Sequence, residues 1–446
     1  MSVEIKSFIA GKSDYEGKGV YGSFKYGKNL NIRSGVDALQ CQQALLEEGV
    51  GTFVDLPLFQ VNADDGNTYF FGDTGKIYKR TSAGVITVVY TDPDGKITGA
   101  DQWFDASLSY LYWTTATKLN RMKLPGNWTT DVNDGSWQKT NLDSVPWHTM
   151  KQADGALQIC NKNKLAMVGY DSSYTNEALL LRPEVVAKTL IDYGDQVLVG
   201  AGDGRKNSFV FPWEQAYLDY LTPTRIPIAS INAIVDAEYM LMNCGTNKLF
   251  FCNPSTRDKM PVLTMDGACY PGGAVEDNGL ALFGVFGGAN SGIWSYGRYK
   301  KNGVLAYNLE QYIDADEIGS LGKIDDVVYV AYKKSGVSHL ARVNSLIKAQ
   351  AEYISLDLKL PVERAVTQIR LVTDTVLTGC AIEAWYSLNR SGTYLQAKMA
   401  GDVAQCTSNR DPVFLVGSEA RIFDVKLVLI PSGNTTPVVH EIYVDF

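Results

Sequence analysis

The amino-acid sequence predicts an all-β protein, made of a seven-bladed β-propeller with an extended N-terminal arm and a C-terminal antiparallel β-sandwich. Three observations lead to this prediction. Hairpin-like segments recur through most of the chain, patterns typical of long helices are scarce, and the strand pattern changes near both ends. The hairpins recur at intervals of about 40 residues, which is the usual length of one four-stranded propeller blade.

Each repeat begins with a turn rich in Asp, Gly or Asn and continues with two runs of β-branched or aromatic residues separated by a second turn. This pattern is typical of a β-hairpin. Further strand-like runs between the hairpins would complete four strands in each blade. A set of β-sandwich domains is the alternative, because such domains also have closely spaced turns. The seven hairpin segments begin at Tyr69, Leu111, Leu157, Val197, Tyr239, Leu280 and Val327.

Residues 1–51 lack the repeat and are predicted to form the arm. Because this segment closes no blade, we expect removal of the first 45 residues to leave the fold largely intact. The arm is predicted to contact a neighbouring subunit; a strand packed on the propeller and a contact with nucleic acid are the alternatives. The candidate subunit-contact residues combine aromatic and basic side chains and are Phe24, Lys25, Tyr26, Lys28 and Arg33.

Residues 52–352 carry the repeat and are predicted to form the propeller. Residues 353–446 contain longer and cleaner strand patterns, which favour a compact antiparallel sandwich. Within this segment, residues 387–394 resemble the Asp-box turn of sialidases, a hairpin staple without a catalytic role, with Asn389 in the place of the usual Asp. Helix content is expected to be low, and residues 40–48 are the best helical candidate.

The charge and the composition of the chain argue against several classes of function. The 446 residues include 41 Lys and Arg against 49 Asp and Glu, a formal net charge of -8. Such a balance argues against a surface that neutralises many phosphates. The first residues are too polar for a signal peptide, and no window approaches the roughly 18 apolar residues of a membrane helix. The sequence therefore predicts a protein that folds in a cytoplasm and spans no membrane.

No constellation of catalytic residues stands out. The histidines His148, His339 and His440 are far apart in the sequence, and none accompanies a nucleophile motif. We therefore predict no catalytic, cofactor-binding or metal-binding residue, no cofactor, and no enzymatic activity. The seven cysteines are scattered, which favours reduced, buried thiols over a disulfide framework.

Carboxylates recur at equivalent hairpin turns, where Asp side chains commonly hydrogen-bond to their own backbone. A turn-forming role explains this repetition. The alternative is a catalytic carboxylate pair, because propeller glycosidases assemble such pairs from separate blades. The residues concerned are Asp64, Asp65, Asp105, Asp154, Asp195, Asp236, Glu276, Asp277, Asp325 and Asp326.

The order of arm, propeller and sandwich resembles β-propeller tail proteins of tailed bacteriophages, especially the tail-hub or nozzle proteins of short-tailed phages. Residues 22–45 (GSFKYGKNLNIRSGVDALQCQQAL) and 434–446 (NTTPVVHEIYVDF) look like the opening and closing segments of such proteins. The resemblance implies a structural virion subunit that is assembled in the host cytoplasm. It would form a ring in the tail or neck and contribute to tail assembly and DNA passage.

The resemblance also implies the partners. They are other copies of the chain, further virion proteins such as a tail or neck adaptor, and phage DNA in transient contact. An acidic channel wall would let DNA pass without binding it. The alternative is a tail protein that binds or cleaves glycans at the host surface, for which 25 tyrosines and 8 tryptophans could supply stacking surfaces.

Overall fold

A computed structural model describes residues 2–13, 21–33, 37–48, 53–105, 108–237, 241–243, 248–253, 256, 258–298 and 304–446. Regular structure in these residues is almost entirely β-strand, and a 3-10 turn at Asn133–Gly135 is their only helical element. The chain divides into two compact units, each described by itself. The propeller unit comprises Glu47–Ser291 and Asp314–Arg342, and the terminal unit comprises Met1–Leu46, Gly292–Ile313 and Val343–Phe446.

The strands have the following bounds. In chain order the first are β1 (Ser2–Ile5), β2 (Gly11–Lys12), β3 (Ser23–Phe24), β4 (Tyr26–Lys28), β5 (Gln43–Glu48), β6 (Pro57–Asn62), β7 (Thr68–Gly72), β8 (Lys76–Arg80), β9 (Ile86–Thr91), β10 (Gly99–Asp105), β11 (Leu108–Thr114) and β12 (Leu119–Leu124). The next are β13 (Met150–Ala153), β14 (Ala156–Asn161), β15 (Lys164–Val168), β16 (Tyr174–Leu180), β17 (Val186–Tyr193), β18 (Gln196–Gly202), β19 (Ser208–Trp213), β20 (Thr224–Ile226), β21 (Ile234–Val235), β22 (Leu241–Asn243), β23 (Lys248–Cys252) and β24 (Lys259–Thr264). The remaining strands are β25 (Gly267–Ala268), β26 (Ala274–Asp277), β27 (Leu280–Gly287), β28 (Gly292–Gly297), β29 (Ala306–Tyr312), β30 (Glu317–Ile324), β31 (Val327–Lys334), β32 (Val337–Lys348), β33 (Ala351–Ile354), β34 (Leu358–Thr373), β35 (Ala381–Leu388), β36 (Leu395–Ala397), β37 (Val413–Ile430) and β38 (Val439–Asp445).

The blades of the propeller unit are four-stranded sheets. Five such sheets are present among the described residues, namely β6–β9, β13–β16, β17–β20, β21–β24, and β30–β32 with β5. The all-β propeller prediction is confirmed, but the prediction of seven blades is wrong, because the structure has five four-stranded blades.

The two remaining hairpin segments form other arrangements. The Leu111 segment belongs to the three-stranded sheet β10–β12. Beyond this sheet, its described residues make two isolated bridges, Leu119 to Lys139 and Met122 to Val132. The Leu280 segment begins β27, which pairs with β25 and β26 in the propeller unit, while β28 and β29 belong to the terminal unit. The sequence repeat marks a hairpin, whereas the outer strands of a blade depend on tertiary pairing.

The hairpins form where the local sequence permits a tight turn. At Asp154-Gly155 and Asn278-Gly279 both residues have positive φ angles, 48° and 72° in the first turn and 51° and 81° in the second. Two consecutive residues with positive φ characterise the turn type that matches the twist of paired strands. The second strands are buried on both faces, as in β7 (TYFFG), because neighbouring sheets cover them.

The inner strands of the propeller unit surround a central channel. In order, β6, β10, β13, β17, β21, β26 and β30 each contact the next, and β30 returns to β6. Residues 43–48, inside the segment expected to be helical, instead form β5 beside β32. As the fourth strand of this sheet, β5 forms backbone hydrogen bonds with β32. This pairing outweighs the helix propensity of Gln, Leu and Glu.

The terminal unit contains an eight-stranded sheet with the order β1-β38-β34-β37-β33-β4, and β35 pairs with β37 and β36. The segment predicted to be an extended arm, residues 1–51, contributes strands to this sheet. Strand β1 pairs with the C-terminal β38, and β4 pairs with β33, so the start of the chain contributes two edge strands. Strand β2 pairs in parallel with β29 and β3. Two stacked sheets are not shown by this pairing, so the sandwich stays a prediction.

Candidate functional site in the central channel

A central channel lies in the propeller unit. It encloses about 890 Å³ and is lined by the first strand of each sheet and by residues that flank these strands. The wall is polar and carries more acidic than basic side chains. The charged lining residues among those described are Asp64, Asp101, Lys151, Asp192, Asp236, Glu276 and Lys323.

Glutamines on three inner strands join neighbouring sheets. Gln60 Nε2 donates to the Lys323 backbone oxygen at 3.0 Å, which joins β6 to β30. Gln102 Nε2 donates to the Asp64 carboxylate, and Gln152 Nε2 donates to the Gln102 backbone oxygen at 2.6 Å. Each glutamine therefore bonds to the preceding sheet: Gln60 and Gln152 bond to its inner strand, and Gln102 bonds to Asp64, which follows β6. Sequence reasoning missed these residues, although each lies on a first strand and their spacing follows the repeat.

Asp64 is held by the neighbouring sheet. Its backbone N–H donates to Gln102 Oε1 at 2.9 Å, and its carboxylate also accepts from Ser109 Oγ at 2.7 Å. Gln102 is buried. It exchanges two hydrogen bonds with Asp64. This arrangement fixes the relative position of β6 and β10. It also engages the Asp64 carboxylate as a hydrogen-bond acceptor.

Asp101 bridges two further strands. Its carboxylate accepts from the Gln102 N–H at 2.9 Å and from the Gln152 N–H at 3.1 Å. Burial raises the pKa of Asp101, and the nearby charge of Lys151 partly opposes this shift. The residue therefore connects β10 to β13 in the same manner as the glutamines.

Among the carboxylates that line the channel, Asp236 and Glu276 form the pair that most resembles an acid–base catalytic site. Partial burial raises the pKa of Asp236, and the charge of Glu276 raises it further. Glu276 Oε1 accepts from the Gly279 N–H at 2.6 Å, which anchors one oxygen. Two neighbouring carboxyl groups, one of them with a raised pKa, are the arrangement that acid–base hydrolysis of glycosides uses.

The other carboxylates that recur in the sequence lie at hairpin turns. Asp65 accepts from the Asn67 N–H at 3.1 Å and from the Tyr69 hydroxyl at 2.7 Å. Asp154 accepts from the Gln215 N–H at 2.7 Å, and Asp277 pairs with Lys323 at 3.1 Å. Asp325 and Asp326 have φ angles of 49° and 60°, a region that Asp tolerates better than most residues. The side chain of Asp105 lies outside the described residues.

The five candidate arm residues belong to the terminal unit and contact that unit. The Phe24 ring is fully buried, with its centroid 5.7 Å from that of Tyr353. Tyr26 pairs with Ile354 along β4. The remaining three are cations with partners: Lys25 Nζ lies 3.5 Å from an Asp424 oxygen, Lys28 Nζ lies 3.8 Å from the Tyr312 ring centroid, and Arg33 pairs with Glu310. A role for these residues in contacting another subunit stays a prediction.

The described residues contain no group of three His, Cys, Asp or Glu side chains placed to hold a metal ion. Both ring nitrogens of the buried His148 lie near backbone oxygens, at 2.8 Å from Cys160 and 3.1 Å from Ala116. Burial lowers the pKa of His148, so this residue is a neutral core histidine.

In the described part of the chain, no helix has the length and apolar character needed to cross a bilayer.

Comparisons with protein-family models and with curated proteins give no match. Among solved structures, the chain is similar to a streptogramin B lyase at 12% identity and a TM-score of 0.48, over 68% of this chain and 98% of that chain. It is similar to the WD40 β-propeller domain of Doa1 at 14% identity and a TM-score of 0.48, over 67% and 96% of the two chains. The β-propeller domain of Cps50 from Myceliophteria thermophila gives 11% identity and a TM-score of 0.46, over 68% and 100%. At these values the similarities carry no conclusion about activity or partners, and the propeller assignment depends on the sheets themselves.

Proposed function

We propose that this chain is a non-catalytic structural subunit of a tailed-phage virion, which forms a ring in the tail or neck. The observation that carries the proposal is that polar side chains lining the central channel hydrogen-bond to neighbouring sheets of the same protein. Gln60, Gln102 and Gln152 tie β6, β10 and β13 to the preceding sheets, and the carboxylates of Asp64 and Asp101 accept bonds from Gln102 and Gln152. Side chains engaged in this way stiffen a scaffold and are poorly available for binding a substrate.

The charge of the chain supports a role beside DNA that involves no tight binding. A net charge of -8 and an acidic channel wall repel phosphates. In this proposal the partners are other copies of the chain and neighbouring virion proteins, and the contact with DNA is transient. The protein would be assembled in the host cytoplasm and retained in the virion.

An exposed apolar loop after β19 offers a contact for a second copy. Leu218 is 99% exposed, Tyr217 is 59% exposed and Leu221 is 42% exposed. The loop is anchored, because the Trp213 indole donates to the Tyr217 backbone oxygen at 2.9 Å and Tyr220 packs on Phe211. Apolar side chains held outward on an anchored loop are typical of subunit interfaces.

Assembly can be measured on the purified full chain. We expect light scattering and electron microscopy to find rings with a defined number of copies at high protein concentration. Leu218→Asp should shift the population at least tenfold toward monomer, because it buries a charge at the contact. Val85→Asp is the matched control, since Val85 is also exposed on a hairpin of the propeller unit.

Immunogold labelling of particles of the phage that encodes the chain then tests the location. A chain that remains monomeric at every concentration and is absent from the particles would contradict the proposal. If Leu218→Asp assembles as well as the original protein, the contact lies on another surface.

The Asp236 and Glu276 pair favours one alternative, a glycan-cleaving tail protein. Incubation of the chain with host capsular or cell-wall polysaccharide tests it. The structural proposal predicts no released oligosaccharide. Release that is lost at least a hundredfold in Asp236→Asn, and retained in Asp195→Asn at an exposed turn, would establish the alternative.

A further inference from the structure

Four charged side chains from separate segments meet in the terminal unit. Lys25 lies between β3 and β4, Asp357 lies just before β34, Arg390 lies in the turn after β35, and Asp424 lies in β37. The Asp357 side chain is 0% exposed and the Asp424 side chain is 3% exposed. Two buried carboxyls in contact are costly when both are ionised, so their charge balance needs an explanation.

The two cations are shared unequally between these carboxyls. Arg390 Nε and Nη2 each lie 2.6 Å from Asp357 Oδ2. Lys25 Nζ lies 3.7 Å from Asp357 Oδ1 and 3.5 Å from Asp424 Oδ2. Asp357 therefore has a close guanidinium and a more distant amine, whereas Asp424 has the amine alone.

One oxygen of each carboxyl is left without a hydrogen bond. Asp357 Oδ1 and Asp424 Oδ1 are both buried, and neither accepts a hydrogen bond from a protein group. An unsatisfied buried acceptor is destabilising. Both carboxyls lie within 3.7 Å of the same Lys25 Nζ, and a single proton held between their unpaired oxygens would satisfy both.

We propose that Asp357 and Asp424 form a proton-binding pair that takes up one proton on mild acidification, in competition with Lys25. The protonated Asp424 then donates to Asp357, which stays ionised beside Arg390. Lys25, which belongs to the N-terminal segment, keeps one carboxylate partner in place of two. The contacts that Lys25 makes with the rest of the terminal unit therefore depend on pH.

The surroundings agree with this assignment of the proton. Burial raises the pKa of Asp424 to about 6, with Asp357 adding to the shift and Lys25 opposing it. Burial acts in the same direction on Asp357, but hydrogen bonds from Asp424 and Arg390 and the charge of Lys25 hold the pKa of Asp357 below its ordinary value. Burial raises the pKa of the adjacent Tyr394 to about 12, so this phenol stays neutral.

The direction of the stability change follows from these shifts. Asp424 binds its proton more tightly in the folded protein, so its contribution to stability is present at acidic pH. It is lost as the pH rises from the ordinary value of 3.8 through about 6. Asp357 has the opposite shift, and its contribution is lost only as the pH falls below its ordinary range. The terminal unit should therefore be most stable at mildly acidic pH.

Calorimetry of the full chain between about pH 5 and pH 7.5 tests the proposal. We expect the unfolding midpoint of the terminal unit to rise by about 2 to 4 °C toward the acidic end. Asp424→Asn should abolish this slope and match or exceed the original midpoint at the basic end, because its amide replaces the shared proton. Asp357→Asn should lower the midpoint at both ends. The control Asp402→Asn, at an exposed ion pair with Lys398, should retain the original slope.

A second measurement does not depend on the folding of the asparagine variants. After labelling of aspartate carboxyl carbons, nuclear magnetic resonance of the original protein should show a carboxyl that titrates near pH 6. Lys25→Met should move this titration to higher pH, because the competing cation is removed. An unchanged calorimetric slope in Asp424→Asn would overturn the proposal, as would the absence of a titration that responds to Lys25→Met.

Discussion

Many polar side chains in the described part of the chain are already engaged in hydrogen bonds within the fold. Asp92 is 4% exposed and accepts from the Trp113 indole at 2.6 Å and from Asn120 Nδ2 at 3.2 Å. Burial raises the pKa of Asp92, and the bond from Trp113 partly offsets this shift. Both ring nitrogens of the buried His148 also lie near backbone oxygens, and the neutral ring donates to one of them. A residue type that could serve chemistry is therefore a weak indication of function until its partners are known.

The Gln102 and Asp64 contact gives a prediction at this scale. Gln102→Ala should destabilise the propeller unit by about 1 to 3 kcal/mol, because a buried donor and acceptor lose their partners. Gln102→Glu should cost more at neutral pH, since two carboxylates then face each other. Part of that loss should be regained on acidification, because the introduced carboxyl binds a proton more readily when folded. Urea unfolding of both variants across pH measures these effects.

Gln138→Ala is a suitable control, because Gln138 donates to Asn120 at 2.6 Å and does not join inner strands. Equal stability of Gln102→Glu and the original protein at neutral pH would show that this contact is unimportant.

Among the elements, the N-terminal strands show how strongly pairing can override a local pattern. Strands β1 and β4 lie at opposite edges of one sheet, and β5 is the fourth strand of a blade. None of these pairings is encoded by neighbouring residues, since β1 pairs with β38 at the other end of the chain. An irregular segment between turns can therefore become an edge strand wherever a sheet leaves backbone groups unpaired.

Deletion of residues 1–45 is the prediction at the scale of elements. The expectation from sequence was a folded truncated chain, but the structure leads to the opposite result. The deletion removes six side chains from the core of the terminal unit. At about 2 to 5 kcal/mol for each large apolar side chain, the loss is comparable to or larger than the 5 to 15 kcal/mol that stabilises a typical domain. The side chains removed are Phe8, Phe24, Leu30, Ile32, Leu39 and Cys41.

Calorimetry of the truncated chain should show loss of the terminal-unit transition and survival of the propeller transition at a lower midpoint, because residues 43–45 of β5 are also removed. A full-length chain with Glu4→Gln and Lys6→Gln, which alters an exposed ion pair in the same segment, should keep both transitions. A truncated chain that unfolds like the original protein would contradict the prediction.

At the scale of the whole molecule, two kinds of information can be separated. The sequence by itself determined the all-β class, the β-propeller and the hairpin turns, because Asp-Gly and Asn-Gly pairs and β-branched runs act over a few residues. It also indicated that carboxylates recur at turns, as at Asp65 and Asp154.

The tertiary structure alone decided the number of four-stranded blades and the placing of the N-terminal strands. It also decided the glutamine contacts of the channel and the meeting of Lys25 with Asp357 and Asp424. These features join segments that are far apart in the chain: the Lys25 and Asp424 contact spans almost its whole length. Local propensity carries no information about such contacts, because they depend on which unpaired backbone edges and buried charges meet once the sheets have packed.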